Sequence, residues 1–356
     1  MTLRTTFVSQ RRVFLLFFVV IFGILFFFFK QSGEDAANQS VIDSSGVEST
    51  QPQPTPVPFA EMTIPFLRQQ TYSGRLGELK LLTKTTNYTS YLTSYTSDSL
   101  QINGLLTIPN GEEPEGGWPA VVFIHGYIPP DSYRTTEKYE AYVDYLARNN
   151  LVVFKIDLRG HGESEGEANG AYYSSDYVVD TLNAYEALVA ADFVNPNKIG
   201  LWGHSMAGNV VLRTLAVKPT IPAAVIWAGA VYSYSDWQKY GLSDHSFQLT
   251  QQRRSDREAK RKILFDTHGE FSSNSSFWSQ VAATKYLNEM QSAIQLHHAV
   301  DDTVVNIGYS RDLNSLVDST SIPHEFYEYN SGGHNISGSS FNSAMQRTVE
   351  FFQTKM

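Results

Sequence analysis

The sequence of 356 residues contains no cysteine. This absence excludes disulfide bonds, a thiol nucleophile and a metal site built on thiolates. A surplus of positive charge is also missing, because 36 acidic residues outnumber 27 basic ones and no basic stripe stands out. Proteins that bind nucleic acid carry such a stripe. The resulting net charge of -9 therefore argues against a nucleic-acid partner.

One long apolar run is present near the N-terminus. Residues 13–29 are almost entirely apolar and would extend roughly 25 Å as a helix, at the short end for a membrane span. Arg4, Arg11 and Arg12 precede this run, so the positive-inside rule places residues 1–12 in the cytoplasm and the rest of the chain outside. The sequence predicts a single-pass membrane protein whose main domain is extracytoplasmic. A cleaved signal peptide is the alternative interpretation.

A polar segment separates the apolar run from the remaining sequence. Residues 31–60 are rich in serine, glutamine and proline. Such a composition cannot bury enough apolar surface to fold, and the prolines favour extended structure. We interpret this segment as a disordered linker. Residues 61–356 are then long enough to form one large domain with a sizeable core.

This domain alternates between short apolar runs and amphipathic runs. Residues 88–109 come first and resemble a β-hairpin with a turn near Asp98. The later predicted strands are 120–124, 151–156, 198–202, 223–227, 293–297 and 325–329. The predicted helices are 137–148, 175–190, 209–217, 309–317 and 341–353. This alternation predicts an α/β fold with a mostly parallel sheet and helices on both faces.

One polar segment, at about 232–278, breaks the alternation. We interpret it as a small helical cap over the carboxyl edge of the sheet, where substrates of such folds enter. A solvated surface excursion without a substrate role is the alternative.

Residues 203–208, Gly-His-Ser-Met-Ala-Gly, lie between a predicted strand and a predicted helix. A serine at a sharp strand-to-helix turn exposes its hydroxyl, and the helix N-terminus favours developing negative charge. The usual spacing is Gly-x-Ser-x-Gly, and Ala207 stands in place of the second glycine. Ser205 is therefore the predicted nucleophile.

A serine nucleophile needs a base, an acid that orients the base, and donors for the oxyanion. Asp301 and Asp302 follow the strand predicted at 293–297, and we expect Asp301 to be the acid, with Asp302 as a loop-stabilising or solvent-exposed neighbour. His334 follows the strand predicted at 325–329, and two glycines directly precede it. It is the predicted base. This gives the chain order Ser, Asp, His found in α/β-hydrolases.

The oxyanion donors are predicted to be the backbone N–H groups of Met206 and Tyr127. Met206 directly follows the nucleophile, and Tyr127 lies in the loop after the strand at 120–124. Asp157 and Arg159, in a turn after another strand, are expected to pair and brace the active-site loops. This chemistry requires no cofactor and no metal.

These residues together resemble the α/β-hydrolase superfamily, and most closely the catalytic domain of the prolyl oligopeptidase family of serine peptidases. The resemblance spans roughly residues 88–356 and rests on the motifs at 125–127, 157–162, 203–208, 301–304 and 333–334. It implies a serine hydrolase that cleaves peptide bonds through an acyl-enzyme. A carboxylesterase uses the same motifs and is the alternative. A non-catalytic hydrolase-like binding module is a remote one.

Overall fold

The computed structural model describes residues 57–243 and 251–356. The predicted cytoplasmic tail at 1–12, the predicted anchor at 13–29 and most of the predicted linker at 31–60 lie outside the described residues. Within the two described ranges, no helix has both the length and the hydropathy needed to cross a bilayer.

A single nine-stranded sheet organises the described residues. Its strands are β1 Lys80–Lys84, β2 Tyr88–Ser97, β3 Leu100–Pro109, β4 Trp118–Ile124, β5 Val152–Ile156, β6 Val194–His204, β7 Ala223–Trp227, β8 Ala293–Ala299 and β9 His324–Tyr329. Their spatial order is β1-β2-β3-β5-β4-β6-β7-β8-β9. The β1–β2, β2–β3 and β3–β5 pairs are antiparallel. The β5–β4, β4–β6, β6–β7, β7–β8 and β8–β9 pairs are parallel. The predicted mostly parallel sheet is confirmed.

The hairpin that joins β2 and β3 turns at Asp98 and Ser99, as the sequence predicted. Both residues have left-handed backbones, with φ of 49° and 66°. Two successive left-handed residues make the turn type whose twist matches the right-handed twist of paired strands. The hairpin therefore forms in continuous register from Tyr88 opposite Pro109 to Ser97 opposite Leu100.

Nine helices lie in the described part of the chain. They are α1 Ile64–Arg68, α2 Glu140–Arg148, α3 Asp176–Val189, α4 Ala207–Val217, α5 Tyr234–Tyr240, α6 Gln251–His268, α7 Ser276–Val281, α8 Gly308–Val317 and α9 Ser339–Lys355. Successive side chains of β4 enter two different cores, because side chains alternate across a strand. Val122 and Ile124 pack with α3 and α4, whereas Val121 and Phe123 pack with α2 and α9. The sheet is therefore covered on both faces.

Arg159 and Asp157 do not pair, so that expectation is wrong. The Arg159 guanidinium lies 2.7 Å from Asp180 of α3, which is fully buried. Asp157 instead accepts hydrogen bonds from the hydroxyl groups of Tyr133, at 2.8 Å, and Thr135, at 2.6 Å. The backbone of the intervening Leu158 is left-handed, with φ of 51°, and this turn directs the two flanking side chains to different partners.

The segment at 232–278 carries α5, α6 and α7, and its residues 244–250 lie outside the described part. Its apolar side chains form a small cluster of their own, centred on the fully buried Trp278 and including Tyr234 and Leu264. Tyr232 of the segment instead belongs to a core of the sheet, and Trp237 packs against both that core and this cluster, so the segment is attached to the sheet as well as packed on itself.

Candidate active site

Four loops that carry the predicted site residues leave the same edge of the sheet. β4, β6, β8 and β9 run parallel, so their carboxyl ends share one edge. The residues that follow these four ends are Tyr127, Ser205, the Asp301-Asp302 pair and His334. In open α/β sheets, ligands bind beyond this edge.

Ser205 occupies a strained turn between β6 and α4. Its φ is 57°, a left-handed conformation that costs free energy for a residue other than glycine. Hydrogen bonds hold the turn, because Ser205 N–H donates to Trp227 O at 2.9 Å and Ser205 O accepts from Gly208 N–H at 2.9 Å. This geometry is that of a nucleophile elbow, which presents the serine side chain at the top of the sheet.

The two glycines of the elbow allow its close packing. A Cβ at Gly203 would lie 2.7 Å from Val211 of α4, and a Cβ at Gly208 would lie 2.7 Å from the Cα of Gly229. Ala207, which replaces the usual second glycine, is the first residue of α4 and is fully buried. The elbow thus accommodates a methyl group at 207 but has no room for one at 203 or 208.

Asp302, and not Asp301, contacts His334. The Nδ1 atom of His334 lies 2.8 Å from Oδ2 of Asp302. The expectation that Asp301 orients the base is therefore wrong. Asp301 is exposed and accepts hydrogen bonds from the backbone N–H groups of Gly332 and Gly333, at 3.2 and 2.8 Å. Asp302 therefore binds the ring of His334, and Asp301 binds the backbone of the loop that carries it.

The Asp302 side chain is fully buried and accepts four hydrogen bonds. Oδ1 accepts from Val304 N–H at 2.8 Å and Val305 N–H at 3.0 Å. Oδ2 accepts from His334 and, at 3.1 Å, from Nε2 of His298. Burial alone would raise the pKa of Asp302, but the hydrogen bonds from His298, His334 and the backbone together hold it well below its usual value. Asp302 is therefore ionised at neutral pH.

A hydrogen-bonded chain connects three of the loops. Gly126 N–H donates to the Tyr139 hydroxyl at 2.9 Å, and that hydroxyl lies 2.8 Å from Nδ1 of His204. Nε2 of His204 lies 2.9 Å from the backbone oxygen of His334. The chain therefore runs from the loop after β4, through the residue before the nucleophile, to the histidine loop. No motif in the sequence relates Tyr139 to His204, 65 positions away, so the sequence alone does not predict this role.

The hydrogen-bond partners determine which atom carries each proton along this hydrogen-bonded chain. A backbone oxygen can only accept, so His204 must carry its proton on Nε2, and its Nδ1 must accept from Tyr139. Burial lowers the pKa of His204 to about 3, with a further lowering from His334 nearby. His204 therefore stays neutral over the whole working pH range, and the direction of the chain does not change.

Two cavities meet at Ser205. The first, of about 430 Å³, is here called the histidine-side cavity; its lining includes Gly126, Tyr127, Lys138, Tyr139, Ser205 and His334. The second, of about 330 Å³, is called the cap-side cavity; its lining includes Tyr127, Tyr172, Ser205, Met206, Trp237 and Val304. Ser205 and Tyr127 line both cavities, whereas His334 lines only the first and Met206 only the second.

Met206 and Tyr127 thus flank the nucleophile as the sequence analysis expected, and their role as oxyanion donors stays a prediction. Among the residues that the structure describes, no group of three or more His, Asp or Glu side chains could hold a metal ion.

The chain resembles proteins of several activities over part of their length. It is 30% identical over 116 residues to the polyketide transferase claH of Penicillium crustosum, covering 33% of this chain and 37% of that protein. An acetyl xylan esterase from Paenibacillus sp. R4 superposes with a TM-score of 0.59 at 16% identity, over 81% of this chain and 91% of the esterase. A puromycin-hydrolyzing peptidase of Mycobacterium tuberculosis gives 0.58 at 16% identity, over 76% of this chain and 40% of the peptidase. At such identities the structural matches show the fold alone.

The family described as serine aminopeptidase, S33, matches residues 119–339, which is more than half of the chain. That range includes the elbow, the acidic loop and the histidine. The predicted α/β-hydrolase assignment is confirmed. The chain belongs to the family described as serine aminopeptidase, S33, within the α/β-hydrolase superfamily.

Proposed function

We propose that this protein is a membrane-anchored serine peptidase that cleaves peptide bonds through an acyl-enzyme on Ser205. The observation that carries the proposal is the 2.8 Å contact between His334 and the buried Asp302 beside the elbow serine. The same arrangement supports carboxylester hydrolysis, which remains the alternative, because both reactions share every covalent step.

The hydrogen bonds assign one nitrogen of His334 to the serine. The ionised Asp302 accepts from Nδ1–H, so the neutral ring keeps its lone pair on Nε2. Nε2 takes the proton of the Ser205 hydroxyl while the oxygen attacks the substrate carbonyl. The carbonyl oxygen becomes an oxyanion and accepts hydrogen bonds from the N–H groups of Met206 and Tyr127. Asp302 stabilises the imidazolium without becoming protonated.

The position of His334 distinguishes the two cavities. The imidazolium returns its proton to the leaving group, so the leaving group must lie on the side of His334. His334 lines the histidine-side cavity, which therefore takes the leaving group. The acyl group stays bonded to Ser205 and occupies the cap-side cavity, whose walls include Tyr172, Trp237 and Val304. Water then attacks the acyl-enzyme with His334 as base, which releases the acid and restores the serine.

The preference for peptidase over esterase rests on the family. The matching family is described as serine aminopeptidase, and the motifs resemble those of the prolyl oligopeptidase catalytic domain. The apolar cap-side cavity suits an apolar acyl group such as the aromatic or aliphatic side chain of a peptide. Residues from α5 and α6 contribute to its lining, which supports a substrate role for the predicted cap.

The anchoring part of the proposal rests on the sequence. The apolar run at 13–29 and the arginines before it support a single-pass anchor with the hydrolase domain outside the cytoplasm. The polar segment at 31–60 would then hold the domain away from the bilayer.

The substrate class is tested with a panel of 4-nitrophenyl acyl esters and peptide 4-nitroanilides. We expect Ser205→Ala to abolish turnover of every substrate that the wild type cleaves, because no other group can form the acyl-enzyme. Cleavage of anilides with kcat/KM within about a hundredfold of the matched esters supports a peptidase, since that gap is about 2.7 kcal/mol in barrier. Cleavage of esters alone supports the esterase. Undiminished turnover by Ser205→Ala would contradict both.

The choice of acid is tested by paired substitutions. Asp302→Asn should lower kcat by about 10³–10⁴-fold, because an amide cannot stabilise the imidazolium and favours the wrong tautomer. Asp301→Asn should cost less than about tenfold, because its amide oxygen still accepts from one loop N–H group. Steady-state kinetics on the best ester measure both. The reverse ranking of the two variants would restore Asp301 as the acid.

If Tyr139 positions the site, its substitution should lower the rate of the chemical step without weakening substrate binding. Tyr139→Phe keeps the ring contacts with Phe123 and Trp202 but leaves Gly126 N–H and His204 without their partner. We expect kcat to fall about tenfold, roughly 1.4 kcal/mol, with KM within about twofold.

A double-substitution cycle supplies the control for this prediction. If Tyr139 acts through His204, the double variant with His204→Phe should lose no more activity than the worse single variant. Tyr145→Phe, on the helix that directly follows Tyr139 but outside both cavities, should retain full kcat. Additive losses in the cycle, or an effect of Tyr139→Phe on KM alone, would show that the chain does not position the site.

The anchor predicts that activity sediments with membranes and is released by detergent but not by high salt. Lysine at both Ile21 and Ile24 should move the activity to the soluble fraction, because each lysine costs about 2.5–3.5 kcal/mol at the centre of a membrane helix. Membrane fractionation followed by the esterase assay measures this. Soluble activity of the unchanged full-length chain would contradict the anchor.

A further inference from the structure

We propose that Lys138 is a specificity residue that binds a carboxylate on the leaving group of the substrate. The inference deepens the proposed function and rests on its acyl-enzyme mechanism. It identifies the preferred leaving group as an amino acid or short peptide with a free C-terminus.

Lys138 lies on the side of the site where the leaving group departs. It lines the histidine-side cavity together with Ser205 and His334. Histidines apart, it is the one side chain with a formal charge among the described residues that line this cavity. The cap-side cavity differs, because Glu258 and Arg261 both contribute to it. A single cation in a cavity selects for an anion there.

The Lys138 ammonium forms no ion pair with any acidic residue in the described part of the chain. Among the residues that the structure describes, no carboxylate lies within ion-pair distance of it. Glu137 and Glu140 are close in sequence, yet neither lines the cavity. The positive charge is therefore available to a substrate, in a protein whose net charge of -9 would otherwise repel an anion.

The backbone at Lys138 is held in a strained conformation. Lys138 and Tyr139 are both left-handed, with φ of 58° and 57°. The buried Lys155 restrains this turn, because its ammonium donates to the backbone oxygens of Glu137 at 3.0 Å and Lys138 at 3.4 Å. Strained residues that the surroundings hold in place concentrate at functional sites. The same turn places Tyr139 on the chain to His204 and Lys138 at the cavity.

The chemistry of the leaving group follows from these positions. When a peptide is cleaved, the group that leaves is an amine, and in a short substrate it carries the C-terminal carboxylate. A cavity of about 430 Å³ beside His334 offers room for a small leaving group. An exposed cation gives a modest preference, because water and salt screen it. The structure thus predicts a measurable but salt-sensitive selectivity for acids over the matched neutral amides.

The test uses two esters with one acyl group, the phenylacetyl esters of 4-hydroxybenzoate and 4-hydroxybenzamide. Their leaving groups match in size and differ in the charge far from the scissile bond. Both form the same acyl-enzyme, so the ratio of their kcat/KM values reports acylation only. Intrinsic differences in reactivity cancel when the ratio for the full-length wild type is divided by the ratio for Lys138→Gln.

We expect the acid-to-amide ratio to be about threefold to fivefold higher in wild type than in Lys138→Gln. Lys138→Arg should keep most of the preference, and about 0.5 M salt should abolish it. Lys198→Gln makes the same charge change on β6, in neither cavity, and should leave the ratio unchanged.

An acid-to-amide ratio that does not change in Lys138→Gln, while both esters are hydrolysed, overturns the inference and leaves the proposed function intact. If wild type hydrolyses neither these esters nor the substrate panel, the proposed function fails and the inference fails with it.

Discussion

The site depends on one buried carboxylate. A carboxylate removed from water must be fully hydrogen-bonded, or it takes up a proton or destabilises the fold. Asp302 meets this requirement with Val304 N–H, Val305 N–H, His298 and His334. Three of these partners come from its own strand and loop, so most of the hydrogen bonds that hold the carboxylate do not depend on His334. The ring of His334 is thereby held in one orientation and one tautomer, with Nε2 available to a serine.

The rest of the fold positions the other active-site loops around Asp302. The parallel strands place four loop starts at one edge, but they do not set the distances between loop tips. Two strained residues do so, Ser205 in the elbow and Tyr139 at the start of α2. The elbow is held by the close packing of β6 on α4, and Tyr139 by its hydrogen bonds to Gly126 and His204. The strain at both points is offset by buried contacts that the surrounding sheet supplies.

Most of the fold could be predicted because buried parallel strands are continuous apolar runs. β7 begins and ends where the sequence predicts. β6 begins at Val194, four residues before the predicted start at 198. A proline lies between these two positions, and because proline favours a turn the sequence predicts too late a start. Ser205 and His334 were identifiable because the elbow spacing and the glycines before the histidine are local signals. The choice between Asp301 and Asp302 was not, because both adjoin the same loop and only the path of the backbone decides which one faces His334. Tyr139 carries no local signal, since its role depends on a contact across 65 residues.

In the proposed mechanism, His334 and Asp302 activate Ser205. The most direct measurement is the site and rate of covalent labelling by a fluorophosphonate, mapped by mass spectrometry of peptides. We expect one adduct per chain, on Ser205, whose formation slows by orders of magnitude in Asp302→Asn and is absent in Ser205→Ala. An adduct on any other residue, or labelling that persists in Ser205→Ala, would contradict it.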